Sequence, residues 1–102
     1  MTFTVIVEAY AERDWDEARG WYNENEPGVG ERFSVTVRNL LHTLSRQPER
    51  FRLTTGLVRK HKMPPPWPYS IYFTINAEHR EVKVLAIWHG AQNPVKLRRR
   101  LK

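Results

Sequence analysis

The feature that most constrains the fold is a break, EPGVG at residues 26–30, between two amphipathic helical patterns. Before the break, apolar residues recur at steps of four, three and four: Ala11, Trp15, Ala18 and Tyr22. After it, a second apolar stripe has helical spacing: Phe33, Val37, Leu40, Leu41 and Leu44. Proline cannot continue a helix and glycine permits a tight turn, so the two helices should fold back on each other as a hairpin.

Strand patterns flank the two helices on both sides. Residues 3–8, FTVIVE, are β-branched and aromatic and predict a first strand. Residues 57–63, 69–75 and 81–89 predict three more strands. The last of these, EVKVLAIWH, is apolar on both faces over most of its length, so it should lie inside the sheet. The order β-α-α-β-β-β, within one domain spanning residues 1–102, predicts an α+β fold whose helical stripes are buried against the sheet.

The segment MPPPWPYSIYFTI, residues 63–75, places four prolines directly before an aromatic strand. Proline cannot donate a ladder hydrogen bond, so all four belong to a loop: Pro64, Pro65, Pro66 and Pro68. Their restricted backbone holds this loop extended and fixes where the strand begins. Alternate residues of the strand should then face opposite sides of the sheet, one set being Tyr69, Ile71, Phe73 and Ile75 and the other Ser70, Tyr72 and Thr74.

The charge of the chain is strongly segregated. Residues 1–51 carry a net charge of −3, because six Arg/Lys oppose nine Asp/Glu. Residues 52–102 carry a net charge of +9, because eleven Arg/Lys oppose two Asp/Glu. The basic half, including a tail at residues 90–102 that we expect to be irregular, should attract a polyanion or an acidic protein. Plain solvation of a small protein is the alternative interpretation of this charge.

Composition excludes several classes of protein and of site. The chain has no cysteine and four dispersed histidines, so neither a disulfide nor a metal site is expected. No phosphate-cradling glycine loop is present, and no cofactor is expected. The N-terminus lacks the pattern of a signal peptide, and no apolar stretch approaches the ~20 residues of a spanning helix. These features predict a cytoplasmic protein that does not associate with membranes.

The densest basic cluster is Arg59, Lys60, His61 and Lys62. In a strand its side chains alternate between two faces, and they could contact phosphates or an acidic protein. The alternative is an edge strand whose charges prevent aggregation. His89 could act as a general acid or base, and with Arg59 and His61 it would form a nuclease site if the three meet on one surface. The alternative for His89 is a structural role at the end of its strand.

Further candidates for binding a target or a partner protein lie in the same half of the chain. Arg98, Arg99 and Arg100 form a run that either reaches a partner or is a solvated end. Trp67, flanked by prolines and expected to be exposed, could anchor a contact, as aromatic residues often do at interfaces. Tyr72 in the neighbouring strand is the remaining candidate.

Three segments resemble the RelE/ParE superfamily of toxins from type II toxin–antitoxin systems, also known as the plasmid-stabilisation type. They are WYNENEPGVGERF at 21–33, PYSIYFTI at 68–75 and VLAIWHGAQNP at 84–94, in the order and spacing of that family. The resemblance implies a helical hairpin on a mainly antiparallel sheet. It also implies a cognate antitoxin that covers the toxin surface and silences it.

The family that the chain resembles divides into two branches, whose members act on different targets. RelE-like members cut mRNA in the ribosome, and the family pattern places an arginine after PY, where this chain has Ser70. Ala91 and Gln92 stand where a basic residue is frequent, and Leu97 stands where tryptophan is common. These departures favour the ParE-like branch, whose members inhibit DNA gyrase without catalysis. A ribosome-dependent endoribonuclease and a degenerate, non-toxic member are the alternatives.

Overall fold

The computed structural model describes residues 2–102. Their helices and strands follow in this order: β1 (Thr4–Val7), α1 (Ala9–Asn25), α2 (Val29–Arg46), a 3-10 turn (Pro48–Arg50), β2 (Leu53–Thr55), β3 (Val58–Lys62), β4 (Tyr69–Asn76), β5 (Glu81–His89) and α3 (Pro94–Arg100). No helix within these residues has the length and apolar character needed to cross a bilayer.

The strands of residues 2–102 form one five-stranded sheet in the order β1-β5-β4-β3-β2. β1 pairs in parallel with β5, and the other neighbours are antiparallel. The predicted α+β fold, its mainly antiparallel sheet and the inner position of the last strand are therefore confirmed. β2 was not predicted, because its three residues are all exposed and have no alternating pattern.

The expectation of an irregular tail is wrong, since residues 94–100 form α3. Asn93 caps this helix by accepting a hydrogen bond from the Val95 amide, and Pro94 occupies its first position. Leu97 and Leu101, four residues apart, pack on the sheet. Three consecutive arginines separate the two leucines, so the sequence shows no evident apolar stripe here.

The break between the two long helices is an ordered turn built around Asn23. The Asn23 Oδ1 atom accepts hydrogen bonds from the amides of Gly28 and Gly30, at 3.2 and 2.8 Å, and so satisfies free donors at the start of α2. Its Nδ2 atom donates to Glu31. Gly28 has a φ of 93°, which favours glycine. Gly30 lies against the backbone of Arg19, so the helices cross closely here.

The hairpin covers one face of the sheet and forms the main core with it. Phe33, Val37 and Leu44 of α2 are fully buried there, together with Ile71 and Phe73 of β4. The two helices are further joined by a hydrogen bond of 2.9 Å from Trp15 Nε1 to the buried Ser34 hydroxyl. The alternation predicted for β4 is confirmed, because Tyr72 belongs to a separate cluster on the opposite face.

A β-bulge at Leu85 changes which residues of β5 face the hairpin. Tyr72 pairs with Ala86 but Phe73 pairs with Val84, so Leu85 is an extra residue. The bulge reverses which residues face the hairpin. Val84 faces the main core before the bulge and Ile87 faces it afterwards, whereas Trp88 faces the other side.

The close crossing of α1 and α2 predicts a strong effect of a single methyl group. Gly30→Ala should lower the free energy of unfolding by about 1–3 kcal/mol, because its Cβ would overlap the Arg19 carbonyl and the Asn23 side chain. Denaturant unfolding measures this change.

Gly20→Ala in α1 is the matched control. A Cβ there meets no atom within 4 Å, so alanine should stabilise the helix by about 0.5–1 kcal/mol. Equal effects of the two substitutions would contradict the close crossing at Gly30.

Candidate functional site

We call the surface of the sheet opposite the α1–α2 hairpin the open face. The strand register places Lys60 beside Tyr72, and it places Ser70 between Lys62 and Trp88. The Lys60 ammonium lies 5.8 Å from the centroid of the Tyr72 ring. Tyr72 and Trp88 are buried, whereas Lys62 is exposed. The open face thus presents Lys60, Lys62 and a serine hydroxyl above an aromatic floor, and the pairing of Thr74 with Lys83 adds a third lysine farther along β5.

The C-terminal helix α3 covers part of this floor. Leu97 and Leu101 pack against a buried cluster that contains Tyr72 and Trp88. The Arg100 guanidinium lies over the Trp88 ring, 5.1 Å from its centroid. Trp88 Nε1 has no hydrogen-bond partner within residues 2–102, so the burial of this indole N–H is uncompensated. Packing of the leucines and the guanidinium therefore holds α3 in place.

An ion pair between Asp14 of α1 and Arg100 of α3 anchors the helix at one end. Their contacts are bidentate, Nη1 to Oδ2 at 2.8 Å and Nη2 to Oδ1 at 3.1 Å, and both side chains are largely buried. β5 extends beyond the end of β1, whose pairing stops at Val84. Beyond this point, the ion pair binds two backbone groups of β5. Arg100 donates a hydrogen bond to the Leu85 carbonyl, and the Ile87 amide donates one to Asp14.

The structure places Arg59 and His61 on the hairpin side of the sheet, not on the open face. Arg59 Nη1 donates to the backbone carbonyls of Glu49 and Phe51, at 3.2 and 2.6 Å. His61 stacks on the Phe51 ring with centroids 4.0 Å apart. Burial, together with the charge of Arg50, lowers the pKa of His61 below its usual value, so the neutral imidazole is favoured. Both side chains are thus engaged in local structure.

His89 lies on the same side of the sheet but two strands away from β3, opposite Tyr69. The ring centroids of Tyr69 and His89 are 5.0 Å apart. His89 Nδ1 accepts a hydrogen bond of 2.9 Å from the Ala91 amide, which holds the imidazole at the end of its strand. Arg59 and His61 therefore share one neighbourhood, near Glu49 and Phe51, and His89 occupies another.

His89 lines a cleft between α1 and the end of the sheet, which we call the α1 cleft. The cleft has a volume of about 340 Å³. The residues that give it chemical character are Asp14, Glu17, Trp21, Tyr22, Tyr69 and His89. Burial, followed by the charges of Tyr22 and Asp14, raises the pKa of Tyr69 to about 12, so its phenol stays neutral. No group of three His, Cys, Asp or Glu side chains in residues 2–102 could hold a metal ion.

The remaining candidates differ in accessibility. Trp67, which we expected to be exposed, is partly buried instead, because its ring packs edge-on against Tyr22 and Phe33 at centroid distances of 5.0 and 5.3 Å. Arg98 and Arg99 are exposed on α3, whereas Arg100 is bound to Asp14. The run of three arginines thus divides into two free cations and one structural residue.

Sequence reasoning missed Asp14, Trp88 and the α1 cleft. Asp14 is 86 residues away from Arg100 in the chain, and nothing in the local pattern links the two. Trp88 looked like one of several apolar residues in a buried strand, and the bulge that aims it at the open face has no signature in the sequence. A signal for the cleft existed in Trp21 and Tyr22, because two adjacent aromatic residues on a helix cannot both lie on its buried face.

Comparison with known proteins agrees with this architecture. Residues 5–94 match the model of a protein family described as the ParE toxin of type II toxin–antitoxin systems, parDE. The chain belongs to the ParE toxin family. This ParE-family chain is also 30% identical, over 93 residues, to Toxin RelE1 of Caulobacter vibrioides, and the match covers 90% of the chain and 98% of that toxin.

Two solved structures resemble the ParE-family chain in fold. The chromosomal ParDE system from P. aeruginosa superimposes with a TM-score of 0.74 and 18% identity, covering 85% of this chain and 95% of that one. The toxin–antitoxin complex RelBE2 from Mycobacterium tuberculosis does so with a TM-score of 0.63 and 22% identity, covering 87% and 99%. The fold is therefore shared by proteins named for both the ParE and the RelE branches.

The anchoring of α3 in this ParE-family protein predicts a large effect of Asp14→Asn. The free energy of unfolding should fall by about 2–3 kcal/mol, because the Arg100 guanidinium loses its charged partner in a largely buried position. Asp16→Asn is the matched control, since Asp16 is exposed and its contact with Arg19 spans 4.0 Å. It should cost about 0–1 kcal/mol in the same unfolding measurement. Equal losses would contradict the anchoring role of Asp14.

The environment of His61 predicts an acid-sensitive contribution to stability. Because the folded state lowers its pKa, this contribution is complete above the unfolded pKa of about 6.5 and is lost as the pH falls through the folded value. His61→Phe should keep the stacking on Phe51 and remove the loss, so its stability should fall less than that of the wild type between about pH 7 and pH 5. Identical pH profiles in denaturant unfolding would contradict this assignment.

Proposed function

We propose that this toxin arrests growth by binding DNA gyrase, as ParE-like toxins do, without chemistry of its own, and that a cognate antitoxin neutralises it. The match to the ParE family model supports the choice of branch. The antitoxin is supported by the two structural neighbours, one of which is named as a toxin–antitoxin system and the other as a toxin–antitoxin complex.

The observation that carries the proposal is that the arginine and histidine candidates for catalysis are not available on the open face. Cleavage of RNA by attack of a 2′-hydroxyl needs a base, an acid and a cation that stabilises the phosphorane. Ser70 lies on the open face between Lys62 and Trp88 and cannot neutralise phosphate charge. Arg59 and His61 lie on the other side of the sheet, and Arg100 is bound to Asp14. This arrangement favours binding over catalysis.

The exposed cations of α3 are the best candidates for contact with gyrase. Arg98 and Arg99 are exposed and lie next to Lys96 and Lys102, which are exposed as well. A short helix with this charge is complementary to an acidic protein surface or to the DNA that gyrase holds. Arg100 is excluded from this role because its guanidinium already binds Asp14 and the Leu85 carbonyl.

The test is expression from a tightly controlled promoter together with a purified system. We expect induction of the DNA-damage response in cells and accumulation of cleavage complexes when purified toxin, gyrase and supercoiled DNA are mixed. Growth arrest without a damage response, and with normal gyrase activity, would overturn the proposal.

A pair of variants makes the test specific to α3. Replacing Arg98 and Arg99 together by Gln should reduce gyrase poisoning at least about tenfold, because two interfacial charges are lost. Replacing Arg32 and Arg38 by Gln is the matched control, since these arginines are equally exposed but lie on α2. Equal activity of the two double variants would remove α3 from the interface.

A second candidate function, a ribosome-dependent endoribonuclease, is favoured by one observation. Lys60 and Lys62 share the open face with Tyr72, where they could contact the phosphates of an mRNA. Toeprinting of translating ribosomes tests this function, because cleavage in the A site should be lost when both lysines are replaced by Gln. Normal growth after induction of the folded protein would instead favour a non-toxic member of the family.

A further inference from the structure

We infer that the α1 cleft is a receptor for one arginine side chain of the antitoxin. The inference rests on the proposed antitoxin partner and adds a specific contact to it. The cleft lies on the hairpin side of the sheet, whereas the contacts proposed above for gyrase and for mRNA lie on α3 and on the open face. Its shape, charge and aromatic lining together select the ligand.

The shape of the cleft follows from one face of α1. Asp14, Glu17 and Trp21 succeed one another at helical spacing and form one wall, while Tyr69 and His89 form the wall opposite. The volume of about 340 Å³ admits a guanidinium group with its methylene stem. The cleft is therefore large enough to receive a side chain of a partner.

The charge of the cleft is opposite to that of the molecule. The chain has a net charge of +6, yet the residues that line the cleft in the described part of the chain include two carboxylates and neither lysine nor arginine. Arg100 neutralises Asp14. Glu17 is exposed and has no ion-pair partner within residues 2–102. A cation in the cleft would form an ion pair with Glu17, whereas a phosphate or a carboxylate would be repelled.

The aromatic lining favours a guanidinium over a compact ammonium ion. Trp21 is 58% exposed although its indole is large and apolar, and it packs edge-on against Tyr22 at 5.1 Å. A planar guanidinium can stack on an indole face while donating to a carboxylate, and Arg uses this geometry more often than Lys. Glu17 and Trp21 lie four residues apart on α1, so one ligand can reach both.

Continuity with the cations of α3 points to the antitoxin as the source of the arginine. Gln92, directly before α3, lines the cleft, and Arg100 binds Asp14 at its edge. We expect an acidic antitoxin segment that covers Arg98 and Arg99 to pass close to the cleft, because the next residue of α3, Arg100, binds Asp14, which lines the cleft. One arginine in such a segment would fix its register, since a shift that moved it onto α3 would set it against Arg98 and Arg99.

The experiment measures binding of the antitoxin encoded by the adjacent reading frame to toxin variants. Glu17→Gln and Trp21→Ala should each weaken the complex about tenfold or more, through loss of the charge pair or of the stacking surface. Glu24→Gln is the matched control, because Glu24 is also exposed on α1 but lies outside the cleft, and it should leave Kd unchanged. Equal affinity of wild type, Glu17→Gln and Trp21→Ala would overturn the inference.

A small probe separates failure of this inference from failure of the proposed function. Titration of the free toxin with Nα-acetyl-arginine amide should shift the NMR signal of the Trp21 indole, and Glu17→Gln should abolish the shift. The neutral citrulline analogue should give no shift. If the antitoxin does not bind the toxin at all, the antitoxin proposal fails and this titration alone decides for or against the cleft. An equal response to citrulline, or to Nα-acetyl-lysine amide, would overturn the assignment of an arginine.

Discussion

The fold depends on the need to cover two inner strands on both of their faces. β4 and β5 carry buried apolar side chains on either side, and the bulge at Leu85 sets which residues of β5 face each layer. The α1–α2 hairpin covers one face, and on the other α3 buries Trp88 with two leucines. The ion pair between Asp14 and Arg100 joins these layers, because it ties α1 to α3 through free backbone groups of β5. Burial of apolar surface drives this assembly, and the ion pair fixes the position of its smallest element.

The same arrangement determines which of the many cations are available to a partner. Arg59, Arg98 and Arg100 carry the same side chain but lie in different surroundings. The Arg59 guanidinium binds backbone carbonyls and that of Arg100 binds a carboxylate, whereas Arg98 is exposed. Lys60 and Lys62 remain on the open face, and Arg98 and Arg99 remain on α3. The net charge of +9 on residues 52–102 therefore overstates how many cations are available to a partner. The basic surfaces of the open face and of α3, together with the α1 cleft, give a more specific picture of how a target and an antitoxin could be distinguished.

Much of the fold could be predicted because its signals are local. The stripe through Phe33 and Val37 identified α2, and the alternation from Tyr69 to Ile75 identified β4. The candidate site was harder to predict. Alternation along a strand indicates that Arg59 and Lys60 face opposite sides of the sheet, but it does not indicate which side is covered. Trp67 was expected to be exposed because its proline neighbours indicate a loop, whereas contact with Tyr22 and Phe33 from the helical hairpin partly buries it.

Local patterns in the sequence predict the hairpin and four of the five strands described, because periodicity and turn chemistry depend on neighbouring residues, and three segments of the sequence resemble a toxin family. The tertiary structure alone decided the role of Arg100, the position of α3 and the existence of the α1 cleft. Each of these depends on contacts between residues far apart in the chain, such as Asp14 with Arg100 or Trp21 with the neighbourhood of His89. The role of a charged or aromatic side chain depends on the groups that contact it, and the packing of the helices on the sheet determines which groups these are.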